Sequence, residues 1–378
     1  MKVGFFSPLP PARTGVADYS AALLKALRRH GTVEAGAADC DVALYHIGNN
    51  LLHREIYQRA IEHPGVAVLH DAVLNHLFLG TLDAGAYIDE FVYNYGEWDR
   101  GLAEDLWANR ARSAADPRYF NYPMLQRLVT ASRAIIVHNP AAARAVYRHN
   151  PTARVFEIPH LFVPPELPDA VDQIRFRNKL GLGPRTLLAG VFGHLRESKR
   201  LGTILRAMER VWAAGADVKL LVQGAFASSD LERAMTPLLQ GNPRILRAGH
   251  LPEPDFWRWA AATDVCLNLR FPAAAESSGI AIRMMGIGKT AIFTYGEEIE
   301  RFPENARLSL ETGPGEEAWL ADYLLWLAGD RQALDAIGRR ASAHIAREHA
   351  VEKVAGEYWR ALSASALRGG RSSLVQQG

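Results

Sequence analysis

Short apolar runs alternate with amphipathic segments along most of the chain. "KVGFFS" (2–7), "DVALYHI" (41–47), "GVAVLH" (65–70), "AIIVH" (134–138) and "RVFEIPH" (154–160) have the length and content of buried strands. Between the first two, "VADYSAALLKALRRHG" (16–31) carries Tyr19, Leu23, Leu24 and Leu27 at helical spacing. Lys25, Arg28 and Arg29 lie opposite or at its end, and Gly31 stops it. "HREIYQRAIEH" and "NPAAARAVYRH" repeat the helical pattern. Short apolar strands alternating with helices predict a parallel sheet covered on both faces.

The stretch 83–130 breaks this rhythm. It holds Tyr87, Tyr93, Tyr95, Trp98, Trp107, Tyr119, Phe120 and Tyr122 among charges. It reads either as a helical subdomain with its own small core or as a wall of a substrate cleft. "PPELPDAVDQ" (164–173), rich in Pro and Asp, reads as a linker. The alternation then restarts with strands at "TLLAGVFGH" (186–194), "VKLLVQG" (218–224), "DVCLNLRF" (264–271) and "TAIF", and a helix at 200–215. In "DVCLNLRF" a two-residue period places Val265, Leu267, Leu269 and Phe271 on one face, with Asn268 and Arg270 on the other. Helices at 316–328 and 331–348 close this second unit, and 351–366 makes a final helix.

Composition narrows the class. A chain of 378 residues exceeds one ordinary core and predicts two domains. Hydrophobic residues at 48% and charged residues at 22% are those of a soluble globular protein. With 43 Lys plus Arg against 41 Asp plus Glu, the balance of +2 gives no case for nucleic acid. Cys40 and Cys266 lie far apart without metal-ligand spacing, which points to a reduced, cytoplasmic compartment. "MKVGFF" passes too quickly into "PLPP" for a signal core, and no run has the length of a membrane span.

Open parallel sheets bind ligands beyond the carboxyl ends of their strands, and each candidate lies at such an end. In "PLPPARTGVADYS" Gly15 precedes a helix N-terminus that suits an anion, although a lone glycine is more often a plain turn. No G-x-G-x-x-G or G-x-x-x-x-G-K-[ST] is present. "HIGNN" and "HDAVLNH" bring His46, Asn49, His70 and Asp71 to one edge, as a polar floor or as structural residues. "GVFGHLRESKR" (190–200) gathers His194, Arg196, Lys199 and Arg200, either a solvated face or the cations a diphosphate needs. In "ESSGIAIRMMGIGK" Ser277 or Ser278 caps a short helix opened by Gly279. Glu276 either tunes that cap or accepts hydrogen bonds from sugar hydroxyls.

These segments, with "LYHIGNN", "VLHD", "FGHLRESKR" and "FWRWAAATDVCLNLRFP", give the chain a resemblance to GT-B glycosyltransferases. The closer likeness is to the retaining family 4 enzymes, and it spans nearly the whole sequence. It implies two Rossmann-like doubly wound α/β domains facing across a cleft. The expected division is 1–168 on the acceptor side and 169–355 on the donor side. A last helix, 356–367, would pack back on the first domain, and 368–378 would form a disordered tail.

The resemblance implies transfer of a hexosyl unit, with retention, from a UDP- or GDP-linked sugar to a glycan, lipid-linked or small hydroxyl acceptor. It implies no cofactor and no obligatory metal, a cytoplasmic location, and peripheral contact with the inner face of the membrane. Polysaccharide biosynthesis is the implied setting. The family's motif of two glutamates with seven residues between them has its first member at Glu276, which meets the donor sugar, while Met284 stands in place of the ribose-binding second. His194 and Lys199 take the positions of its phosphate-binding Arg and Lys, with Arg196 or Arg200 compensating. Gly15 matches the glycine at the phosphates and His70 the histidine beside the sugar. Ser278 and Gly279 join the diphosphate site. Asn49, Asp71, Arg196, Arg270, Ser277, Ile280 and Met284 complete the expected donor cleft. Tyr295 occupies the place of an acid that often follows "TAIF". The competing expectations are a catalytically weak nucleotide-sugar binder and another GT-B enzyme, such as a nucleotide-sugar epimerase.

Overall fold

The computed structural model describes residues 1–12 and 14–369. In the first unit β1 (Lys2–Phe6), β2 (Thr32–Ala35), β3 (Val42–Ile47), β4 (Val66–Leu69), β5 (Ala134–Val137) and β6 (Val155–Glu157) form one parallel sheet, order β2-β1-β3-β4-β5-β6. Alternate residues feed two cores. Val66, Val68 and Ile136 face one with Leu23, Leu27 and Tyr358, whereas Ala67, Leu69 and Ile135 face the other. That second core includes Tyr87, Phe91, Leu106 and Tyr119 from the aromatic stretch, all fully buried. The stretch is helical as expected, with helices Ala84–Tyr95 and Arg100–Ala108. Its core is nevertheless continuous with the sheet's and not separate.

In the second unit β7 (Leu187–Val191), β8 (Val218–Gln223), β9 (Ile245–Ala248), β10 (Val265–Asn268), β11 (Thr290–Thr294) and β12 (Leu308–Leu310) form another parallel sheet, order β12-β11-β10-β7-β8-β9. β10 ends at Asn268, and all four of its residues are buried. The predicted face holds for Val265, Leu267 and Leu269, which enter one core, while the strand is covered on its other side as well. Phe271 lies past its end and is 40% exposed.

The units are divided differently from the expected boundaries. The first comprises Met1–Val163, Pro272–Ser277 and the chain from Glu348; the second comprises Pro164–Phe271 and Ser278–Arg347. The predicted linker 164–173 turns helical from Ala170, because Asp169 caps Ala170–Lys179 by accepting from Asp172 N at 2.8 Å. The final helix is Val351–Gly369, and Val354 and Ala355 are fully buried in the first unit's core. They therefore leave the second domain to which 169–355 had assigned them. Of the expected tail, 370–378 lies outside the described residues.

Candidate functional site

Four histidines occupy the carboxyl edge of the first sheet. His46 is the penultimate residue of β3, His70 and His138 directly follow β4 and β5, and His160 lies beyond β6. Because β3-β4-β5-β6 are neighbours, the rings follow one another. Centroids are 5.2 Å apart for His46–His70, 5.3 Å for His70–His138 and 5.7 Å for His138–His160. Tyr19 of the helix Gly15–Leu27 packs against all four at 4.5 to 6.1 Å. Its hydroxyl is 2.8 Å from that of Tyr358 in the final helix. Burial, then the neighbouring imidazoles, hold His46 and His70 well below the ordinary histidine pKa. Burial likewise brings His138 down to about 4, against a hydrogen bond to Ile158 O that favours the cation. His46, His70 and His138 are therefore neutral near pH 7. His138 and His160 escaped the sequence reading, although "IVH" and "IPH" repeat the strand-end histidine of "VLH".

The segment 272–277 is tied to the same edge. Ala72 N donates to Ala274 O at 2.9 Å, and Asn139 Nδ2 donates to Ala275 O at 2.9 Å and Ser277 Oγ at 3.0 Å. Ala72 and Asn139 directly follow the loops carrying His70 and His138. Half-buried Glu276 therefore belongs to the unit that holds these histidines, and its carboxylate accepts from Ala274 N at 2.7 Å. Asn49 and Asp71 brace the neighbouring loops. Asp71 accepts from Asn49 N at 3.0 Å, and Asn49 Oδ1 accepts from Leu77 N at 2.8 Å. Gly15 is exposed and opens the first helix, which Thr14 caps.

The second unit has its own carboxyl edge. β7 runs into Gly193, whose φ of 82° suits glycine, and Lys199 Nζ donates back to Phe192 O. A side chain on Gly193 would come within 3.5 Å of Ile280 and 3.8 Å of the Lys199 ammonium, so the strand end, the cation and the start of helix Gly279–Gly286 meet. Ser278, not Ser277, caps that helix. Its Oγ accepts from Ala281 N at 3.2 Å and from an Arg270 terminal nitrogen at 3.3 Å, and donates to Asn268 Oδ1 at 2.8 Å. Cys266 in β10 is raised to about 12 by burial, while the Lys199 and Arg270 charges pull it down. Exposed His194 is lowered by partial burial, then by Arg196, His250 and Lys199. The Arg196 and Lys199 charges beside His194 mark an electropositive edge suited to an anion.

Two expected ligand residues have other work. Arg200 adopts a left-handed φ of 58°, and its guanidinium forms a two-pronged ion pair with the buried Glu316 carboxylate. It is a structural clamp, and sequence reasoning did not single out Glu316. Met284 has 0% exposure, because it faces inward with Ala281, Ile282 and Met285. It is a packing residue, which corrects its placement in the cleft. The chain's Asp-x-Asp, Asp39–Cys40–Asp41, precedes β3 at the amino end of its strand, where Asp41 accepts from Lys2 N at 2.7 Å. Among the described residues no group of three or more His, Cys, Asp or Glu is arranged to hold a metal ion, and no helix is long and apolar enough to cross a membrane.

No protein-family model and no curated protein matches the sequence. Solved structures do. Anabaena Alr3699/HepE, in complex with UDP and glucose, aligns at a TM-score of 0.61 and 15% identity over 96% of this chain and 100% of that one. Sucrose-phosphate synthase from Thermosynechococcus elongatus aligns at 0.64 and 14% over 97% and 100%. WaaG, a glycosyltransferase involved in lipopolysaccharide biosynthesis, aligns at 0.58 and 14% over 93% and 98%. At these identities the likeness shows the fold: the chain is built as two Rossmann-like α/β units of the GT-B type.

Proposed function

We propose that the protein transfers a hexosyl unit from a nucleoside diphosphate sugar to a hydroxyl acceptor, with retention and without an obligatory metal. The observation that carries this reading is the second unit's strand edge, where Lys199 and Arg270 meet the Ser278-capped helix start. Cations and a helix N-terminus stabilise negative charge growing on a leaving diphosphate. HepE and its UDP complex, on the same fold, support a nucleotide-linked donor. On the first unit, Glu276 accepts hydrogen bonds from the sugar hydroxyls and His70 lies beside the sugar. The bond from the anomeric carbon to phosphate breaks as the acceptor oxygen bonds that carbon, and a leaving-phosphate oxygen takes the acceptor proton. The acceptor is a glycan, a lipid-linked sugar or a small alcohol, met in the cytoplasm or at the inner face of the membrane. The placement belongs with polysaccharide biosynthesis.

A thermal-shift panel of UDP, GDP, ADP and TDP with their sugars tests the donor site. A ligand at 100 times its Kd stabilises the native state by about 2.7 kcal/mol, and no shift with any of them would sink the reading. Glu276→Gln is expected to cut transfer far more than it lowers the melting temperature; equal losses would return Glu276 to a structural role. The buried Met284 favours one second reading, a binder without turnover. That protein would shift with a nucleotide sugar yet transfer to no acceptor.

A further inference from the structure

His46 and His70 form a buried imidazole pair, with His46 Nδ1 2.9 Å from His70 Nε2. His46 is 0% exposed, and its other ring nitrogen, Nε2, has no hydrogen-bond partner among the described residues. Both rings are neutral, so one proton lies between them and its owner fixes both tautomers. If His70 donates, His46 must carry its own proton on Nε2, a buried N–H with nothing to receive it. If His46 donates from Nδ1, its Nε2 is left as a bare lone pair. Orphaned buried donors are rarer and costlier than under-used acceptors, so the second arrangement wins. His70 then accepts at Nε2 and carries its proton on Nδ1.

We infer that His46 is a positioning residue that sets the tautomer of His70, so that His70 offers an Nδ1–H donor to an oxygen of the ligand. The packing holds the pair in register. Phe5 lies 4.7 Å from the His46 ring, and Tyr19 meets His70 edge-on at 5.1 Å. His53 Nδ1 bonds His46 O at 2.9 Å, fixing the backbone that carries the ring. That the ligand oxygen is a donor-sugar hydroxyl rests on the proposed function; the tautomer does not.

The test begins with the unaltered full-length protein. Long-range proton–nitrogen correlation spectra of 15N-histidine-labelled protein at pH 7.5, assigned with His70→Gln, are expected to show His70 protonated on Nδ1 and bare on Nε2. The reverse pattern overturns the inference. His46→Leu is expected to let His70 move toward the Nε2–H form that free imidazole side chains prefer. It should also raise the Kd for the nucleotide sugar that the shift panel selects by about tenfold, the loss of one neutral hydrogen bond. His46→Asn, whose amide can donate from the Nδ1 position, should restore most of that affinity. Equal loss in both variants, with the His70 tautomer unmoved, overturns the inference. Should His46→Leu fail to fold, the spectrum of the unaltered protein decides. If no nucleotide sugar binds at all, the functional reading falls while the tautomer remains measurable.

Discussion

At Gly15 an added methyl group would meet no atom within 4 Å, so packing among the described residues does not require glycine there. Alanine in an ordinary helical conformation normally stabilises by about 0.4–1 kcal/mol. Gly15→Ala is therefore expected to leave the melting temperature unchanged or slightly higher while weakening UDP binding about tenfold by titration calorimetry, the cost of roughly 1.4 kcal/mol. Unchanged binding would make Gly15 an ordinary helix start. Residue by residue, the position of a candidate was legible where a polar side chain stands at or just beyond a strand end, as at His70, His194 and Lys199. It was not legible where the answer depends on a distant partner. Nothing beside Arg200 in the sequence announces Glu316, over a hundred residues on. The burial of Met284 follows from which side of its helix faces β10 and β11, and not from its spacing from Glu276.

At the scale of elements, the longer apolar runs were read correctly because a strand buried on both faces needs little context. β2 and β12 escaped. β2 buries only Val33, and β12 has three residues with only Leu310 buried, too little pattern to stand out. The element with most at stake is the turn from 196 to 201. There Arg200 holds a left-handed backbone and pairs with Glu316 at the start of helix Glu316–Gly329. Removing one member of a buried pair leaves the other charge uncompensated, at about 3–5 kcal/mol. Glu316→Ala is expected to lower stability by about 3 kcal/mol in urea unfolding, with the Arg200→Ala, Glu316→Ala double variant losing less than the sum. Additive losses would show that the pair contributes no coupling.

Across the whole molecule the buried histidines tie stability to pH. Their folded pKa values are depressed, so above about 6.5 folded and unfolded chains bind the same protons there. As pH falls from 6.5 the unfolded chain takes up protons that the fold refuses, and stability drops until the folded pKa is passed. For His138, at about 4, this amounts to roughly 3 kcal/mol. The melting temperature should fall between pH 7 and pH 5, and His138→Asn should shrink that fall; an unchanged difference would acquit His138. The path of the chain has another consequence. The second unit's last residue is Arg347, whereas the first unit still needs Pro272–Ser277 and a helix in which Val354, Tyr358 and Leu362 are fully buried. On a ribosome, where domains ordinarily form from the N-terminus, the first unit made is the last that can be finished. Its sheet, complete in sequence by Glu157 but with the Tyr19 face still uncovered, must wait through the synthesis of the entire second unit.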